Sequence, residues 1–290
     1  MVSGVSLTAL LVASGRAVET ARPDGLIRDP FAAGFVRSAR AASVMPTSPA
    51  DPAADRVGWR YLSDMMGIRS RFFDDYLRAA ADAGIGQIVV LAAGLDTRAY
   101  RMSWPQSCQW FEIDQAHVLR FKHRVLAEQA ATPTCQRHAV PADLREQWTS
   151  TLCAAGFEPA RPSAWLAEGL LQYLPSAAEE RLLSDISQLS APGSQLAVTH
   201  TDGPTTLSWT SAELGVDLDQ IINHEPRESL PHRLQRHGWT VRASESIPHA
   251  GQRLGRCPTY PAPDLDAAPS MLTWASQDSP MASASPAQTL

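Results

Sequence analysis

The chain has 290 residues, 44% hydrophobic and 19% charged, with a formal net charge of −5. That length suits one large α/β domain or two small ones with a sizeable core, and the lack of a basic excess argues against nucleic-acid binding, which needs cations to displace counterions. Cys108, Cys135, Cys153 and Cys257 form no CxxC pair, so neither a zinc site nor a disulfide framework is expected, and the N-terminal apolar run 7–13 is too short for a bilayer and lacks signal-peptide flanks.

A cytoplasmic enzyme without membrane or nucleic-acid partners is the resulting expectation; oligomeric state has no signal. In chain order, residues 6–21 (SLTALLVASGRAVETA) read as a helix with a partly apolar face, ended by the turn residues Arg22-Pro23-Asp24-Gly25. A short helix follows at 31–40. Residues 43–55, rich in Pro, Ser, Ala and Asp, read as a mobile loop. Residues 1–60 thus form a helical cap rather than a separate core. Helical spacing returns over 57–83, where Phe72, Phe73, Tyr76, Leu77 and Ala80 share a face, and Gly84-Ile85-Gly86 ends it.

The first strong strand is 87–91, a continuous apolar run such as a parallel strand buried on both faces requires. Further strands are expected at 109–113, 137–140, 164–167, 195–199, 240–243 and 270–274, with helices at 115–130, 177–190 and 231–237. This alternation predicts βαβ units, a mainly parallel sheet and one domain over 61–275. Residues 276–290 are poor in bulky apolar groups and read as a disordered tail.

The chemistry centres on Val89-Val90-Leu91-Ala92-Ala93-Gly94-Leu95-Asp96. A buried strand runs into small residues, which let backbone approach a ligand, at the sheet edge where open α/β folds bind ligands. The second strand ends Glu112-Ile113-Asp114, with acids 18 and 20 positions after Gly94; carboxylates there can accept ribose hydroxyls. The G-x-G-x-x-G fingerprint is absent, and Asp96 would repel a pyrophosphate, so an NAD-dependent oxidoreductase is disfavoured. S-adenosylmethionine carries no phosphate, and its cationic groups tolerate these acids. Asp143 and Leu144 either contact an adenine or form a cap before a helix over 144–149. Glu168 ends the fourth strand, facing a methionine amino group; Tyr173 follows near the acceptor position, or packs in the core. His200, after the fifth strand, is either a general base or a polar loop residue. Arg98 either holds the loop through an acidic neighbour or binds cofactor.

SLTALLVASGRAVETARPDGLIRDPFA, IRSRFFDDYL, VVLAAGLDTRAYRM, FEIDQ, ADLRE and WLAEGLLQYLP occur in this order between residue 6 and about 199. With them the sequence resembles the actinobacterial branch of the leucine carboxyl methyltransferase-like, class I S-adenosylmethionine-dependent methyltransferases. The region from about 240 to 275 matches only loosely, and the usual Gly-Ala-Gly is Ala92-Ala93-Gly94 here. The resemblance implies a Rossmann-like, seven-stranded, mainly parallel sheet with helices on both faces and an N-terminal helical cap over the active site. It implies S-adenosyl-L-methionine contacts at Ala93, Gly94, Glu112, Ile113, Asp114, Asp143, Leu144 and Glu168. Arg69 or Arg71 would meet the methionine carboxylate, as a planar guanidinium can. The expected activity is O-methylation of a carboxylate (small metabolite or peptide C-terminus) or of a hydroxyl in secondary metabolism, with Tyr173 and His200 as catalytic candidates. The alternative, encouraged by Ala92, is a non-catalytic cofactor-binding or interaction protein that retains the fold.

Overall fold

The structure, a computed structural model, describes residues 7–201, 209–258 and 270–278. The helices are α1 (Leu7–Ala21), α2 (Ala32–Ser38), α3 (Val57–Asp82), α4 (Arg98–Arg101), α5 (Ala116–Glu128), α6 (Thr149–Ala154), α7 (Ser176–Gln188), α8 (Trp209–Leu214), α9 (Leu230–Arg236) and α10 (Ile247–Arg253). The strands are β1 (Gln87–Leu91), β2 (Gln109–Asp114), β3 (Gln136–Pro141), β4 (Ser163–Ala167), β5 (Gln195–Thr201), β6 (Trp239–Ser246) and β7 (Ser270–Gln277). They form one sheet in the order β3-β2-β1-β4-β5-β7-β6. The first five are parallel, and β7 runs antiparallel between β5 and β6.

Alternation along the strands divides the interior in two. Ile88, Val90, Trp110, Leu166 and Ala197 face α1, α2, α3 and α5, while Val89, Leu91, Phe111, Trp165 and Val198 face α6, α7 and α9. Both faces of β1 and β4 are therefore buried, which is why these strands read as unbroken apolar runs. From β1 the chain winds one way to β2 and β3, then returns to place β4 on the other side of β1. A crevice opens where the loops after β1 and β4 part, at the carboxyl ends of the strands.

The first helices share the core of the sheet. Leu10, Leu11 and Ala13 of α1 pack with Trp59, Leu62 and Met66 of α3. A Cβ at Gly15 would stand 2.7 Å from Met66 Cγ, so glycine permits this close helix approach. Arg256, just after α10, donates to Glu19 Oε2 of α1 at 2.9 Å and to Asp64 Oδ1 of α3 at 2.9 Å. Distant parts of the chain are thereby clamped through a glutamate with no exposed surface.

Three expectations differ. The 43–55 stretch is an ordered turn: Met45 and Pro46 are buried, Ser14 Oγ donates to the Pro46 carbonyl at 2.5 Å, and Asp51 Oδ2 accepts from the amides of Thr47 and Ser48 before a 3-10 turn over Pro52–Asp55. No helix covers 144–149; Asp143 Oδ1 accepts from Arg145 N at 2.9 Å in a side-chain-closed turn, and the helix starts at Thr149. β7 runs to Gln277, two residues into the expected tail, because Ser276 and Gln277 complete the ladder with β5 and β6. Ser6 and the tail from 279 lie outside the described residues. Among the described residues no helix is long and apolar enough to cross a membrane.

Candidate functional site

β1 delivers the chain into a left-handed turn, with φ of +49° at Ala92 and +47° at Gly94. Glycine adopts such angles freely, whereas alanine pays a steric penalty. The turn is held by β2: Ala93 N donates to the Ile113 carbonyl at 3.0 Å, and Gly94 N to Asp114 Oδ2 at 2.7 Å. Asp114 Oδ1 accepts from Gln115 N at 2.7 Å. Burial pushes the Asp114 carboxyl up, and the two amides only partly offset this, so it lies above the ordinary aspartate range.

Over this turn lies a cleft of about 510 Å³. Its floor is the β1 loop, one wall is α1 with Thr8, Val12 and Arg16, and the other is the segment after β4, with Glu168 next to the strand and Tyr173 in a 3-10 turn over Leu171–Tyr173. Arg16, 7% exposed, ties α1 to the loop by donating from Nη2 to the Leu95 carbonyl at 2.6 Å and from Nε to Asp29 Oδ2 at 2.9 Å.

Beneath the cleft is a buried chain of charges. Glu168 Oε1 accepts from Arg69 Nε at 2.7 Å, and Oε2 from Arg98 Nη1 at 2.8 Å. Arg98 Nε also donates to Asp74 Oδ1 at 2.7 Å, Arg98 pairs with Asp96, and Asp74 accepts both Arg101 Nη groups at 2.7 Å. Burial pushes the Glu168 carboxyl up, but the Arg98 and Arg69 guanidiniums outweigh it and hold it below its usual range. Burial opposes ionisation of Asp96 as well, yet Arg98 and, more weakly, Lys122 hold it at about 2. Arg69 spends only Nε on Glu168; its Nη1 and Nη2 take no partner among the described residues, and the residue borders the cleft.

Of the residues singled out from sequence, Arg69, Ala93, Gly94, Asp114, Glu168 and Tyr173 meet around this cleft. Asp143 and Leu144 line a side pocket of about 210 Å³ that shares Ala92, Asp114 and Tyr173 with it. Ile113 contributes its carbonyl from within the core, with no exposed surface. Arg98 holds the loop, as one of its two readings had it.

Three residues stand elsewhere. Glu112 is fully buried and does not line the cleft: Arg137 of β3 donates to its Oε2 at 2.6 and 2.9 Å, and Lys122 Nζ of α5 lies 2.8 Å away. It anchors α5 and β3 rather than a ribose. Arg71, 200° around the helix from Arg69 at 100° per residue, is half-exposed, pairs with Asp75 at 2.8 Å and borders a different groove. His200 is not in a loop but in β5, and shares the face of Leu196 and Val198. Its Nε2 lies 2.9 Å from Thr273 Oγ1, and it lines a separate 380 Å³ pocket beside Glu179 and Arg233. Sequence reading missed Thr8, Val12 and Arg16, which the fold brings to the site from far along the chain; the Arg16–Leu95 bond spans 79 residues.

A second chamber, of about 130 Å³, adjoins the cleft and shares Thr8, Val12, Arg69, Gln172 and Tyr173 with it. It extends between α1, α3 and α8. Among its described lining residues none is His, Asp, Glu or Lys. No group of three or more His, Cys, Asp or Glu side chains is placed to hold a metal among the described residues.

The profile described as leucine carboxyl methyltransferase matches residues 9–187. A Saccharopolyspora erythraea protein is 44% identical over 249 residues, covering 83% of this chain and 85% of the relative. A Mycobacterium tuberculosis protein is 46% identical over 266 residues, covering 87% and 85%. Both carry the name "Putative S-adenosyl-L-methionine-dependent methyltransferase". Among solved structures, a DUF574 family protein of Streptomyces avermitilis superposes with a TM-score of 0.55 at 13% identity, covering 96% of this chain and all of that one. A Thermobifida fusca protein gives 0.54 at 16% identity, covering 96% and 97%. These two likenesses establish the seven-stranded Rossmann-like fold.

Proposed function

The chain belongs to the leucine carboxyl methyltransferase family and is an S-adenosylmethionine-dependent methyltransferase; from that premise we propose that it methylates an oxygen, a carboxylate of a small metabolite, in cytoplasmic secondary metabolism. In this reading the cleft offers a partner for each group of the cofactor. Asp114 would accept the ribose hydroxyls, Glu168 the methionine ammonium, and the unpartnered Arg69 Nη groups would donate to its carboxylate. Asp143 and Leu144 would take the adenine in the side pocket. When bound, the cofactor supplies an electrophilic methyl group on a positively charged sulfur.

The chain's own part is positioning, since an in-line displacement depends on bringing the nucleophile close and aligned. The observation that carries the choice of a carboxylate is the missing base: no His, Asp, Glu or Lys lines the second chamber among its described residues. An alcohol must lose a proton to react, while a carboxylate is already ionised near neutral pH. Burial raises the Tyr173 phenol above its ordinary range, so it stays a neutral donor that can hold an acceptor oxygen.

A panel of carboxylic acids, alcohols and a leucine-ended peptide, incubated with methyl-labelled cofactor, tests this. Base-labile methyl esters are expected; base-stable ethers alone would refute the carboxylate reading. Tyr173→Phe should lower turnover about tenfold, the loss of one hydrogen bond to a charged group, at unchanged cofactor affinity. Wild-type kinetics would remove Tyr173 from the acceptor site.

A further inference from the structure

We propose that the chamber between α1, α3 and α8 takes the apolar body of a small acceptor, a compact aryl or short alkyl group, and holds its reacting oxygen group at Thr199 and Tyr173. This rests on the reading above that the acceptor is an oxygen of a small molecule. Its walls are side chains such as Leu62, Met65, Leu214 and Ile222, and Arg69, at the shared mouth, is the one charged group among its described lining residues. A cavity of about 150 Å³ has room for benzene, close to the 130 Å³ here.

Thr199 sharpens the assignment. It is 5% exposed, lies in the chamber wall, and its Oγ1 has no hydrogen-bond partner among the described residues. Buried hydroxyls normally find one, and its position on β5, facing α3 rather than α7, turns it toward the same space as Tyr173. A ligand oxygen would satisfy it. A peptide chain would instead bring a run of backbone donors and acceptors against walls whose surface is mainly apolar, where unpaired polar groups are costly.

The test is titration of phenylacetate and hexanoate into full-length protein saturated with S-adenosylhomocysteine, with succinate and a leucine-ended pentapeptide as controls. The apolar acids should bind at least about tenfold more tightly than either control. Met65→Trp, which fills the chamber from a partly buried position, should weaken them about tenfold, and Thr199→Val by about tenfold, as expected for a lost hydrogen bond to a charged group. S-adenosylhomocysteine affinity and melting temperature, measured alongside, verify that both variants are folded. No preference for apolar acids, or unchanged probe affinity in folded Met65→Trp, overturns the assignment. Benzyl alcohol methylated in place of phenylacetate, with the same Met65→Trp loss, supports the chamber while refuting the carboxylate reading. A methylated succinate insensitive to Met65→Trp does the reverse.

Discussion

Two buried clusters of acids and bases flank β1, and they are built to different ends. On the β4 side, Asp74, Asp96 and Glu168 face Arg69, Arg98 and Arg101, three acids against three bases. On the β2 side, Glu112 alone faces Lys122 and Arg137. The first reaches the cleft through Glu168 and Arg69, whose side chains keep 11% and 8% of their surface. The second is sealed, with neither Glu112 nor Lys122 exposed at all. Each cluster holds a glutamate between two cations, but only Glu168 borders the cleft, beside an arginine that is bound through one nitrogen and keeps the rest of its fork free. Charge in a site is therefore read from what stays accessible.

The comparison breaks most visibly at Glu112. Glu112→Gln leaves Lys122 and Arg137 buried without their anion, and breaking a buried pair typically costs about 3–5 kcal/mol. Melting should fall by roughly 6–20 °C, while the folded fraction keeps its affinity for S-adenosylhomocysteine by calorimetry. A normal melt with lost affinity would return Glu112 to the ribose site.

Two residues along the same strand, Asp114 gives the opposite pattern. Asp114→Asn should weaken S-adenosylhomocysteine by about 1.5–3 kcal/mol, the range for a hydrogen bond to a charged group, with a much smaller change in melting. Acid separates the clusters without mutation. The Asp114 carboxyl is raised, so it protonates above the ordinary aspartate value as pH falls, and its protonation itself favours the folded state. Asp74, Asp96 and Glu168 are lowered. Their stabilisation is present above their unfolded values and is lost only as pH falls through the folded ones, about 2 for Asp96. Cofactor affinity should thus decline on acidification, at a pH where these ion pairs are still intact. Affinity and melting that fall together would unseat Asp114 as the ribose carboxylate.

Legibility followed the range of the signal. All seven strands stood in the sequence, β1 and β4 most plainly because burial on both faces imposes apolar runs, and Gly94 with Asp114 could be placed because a strand tip and its turn are local. The insertion of β7 between β5 and β6 was not legible, since pairing partners leave no local mark. Glu112 was misread because the cations that claim it lie 10 and 25 positions away, on another helix and another strand. His200 was recoverable: Leu196, Val198 and His200 recur with period two, which puts the imidazole on the face away from the acceptor chamber. Arg16 gave no signal, because only the fold carries α1 to the β1 loop.

The smallest effect belongs to Ala92, where the β1 turn departs from glycine. A left-handed alanine costs roughly 1–2 kcal/mol, and Ala92→Gly would release it against about 0.5–1 kcal/mol of added chain entropy. A net gain of about 0.5–1 kcal/mol should raise the melting temperature by about 1–4 °C. The strain is present with or without ligand, and a ligand shifts an equilibrium only through a difference between states, so S-adenosylhomocysteine affinity should stay within about threefold. A rise in affinity beyond tenfold would mean that the Ala92 methyl, which lines both the cleft and the side pocket, obstructs the cofactor rather than merely straining the turn.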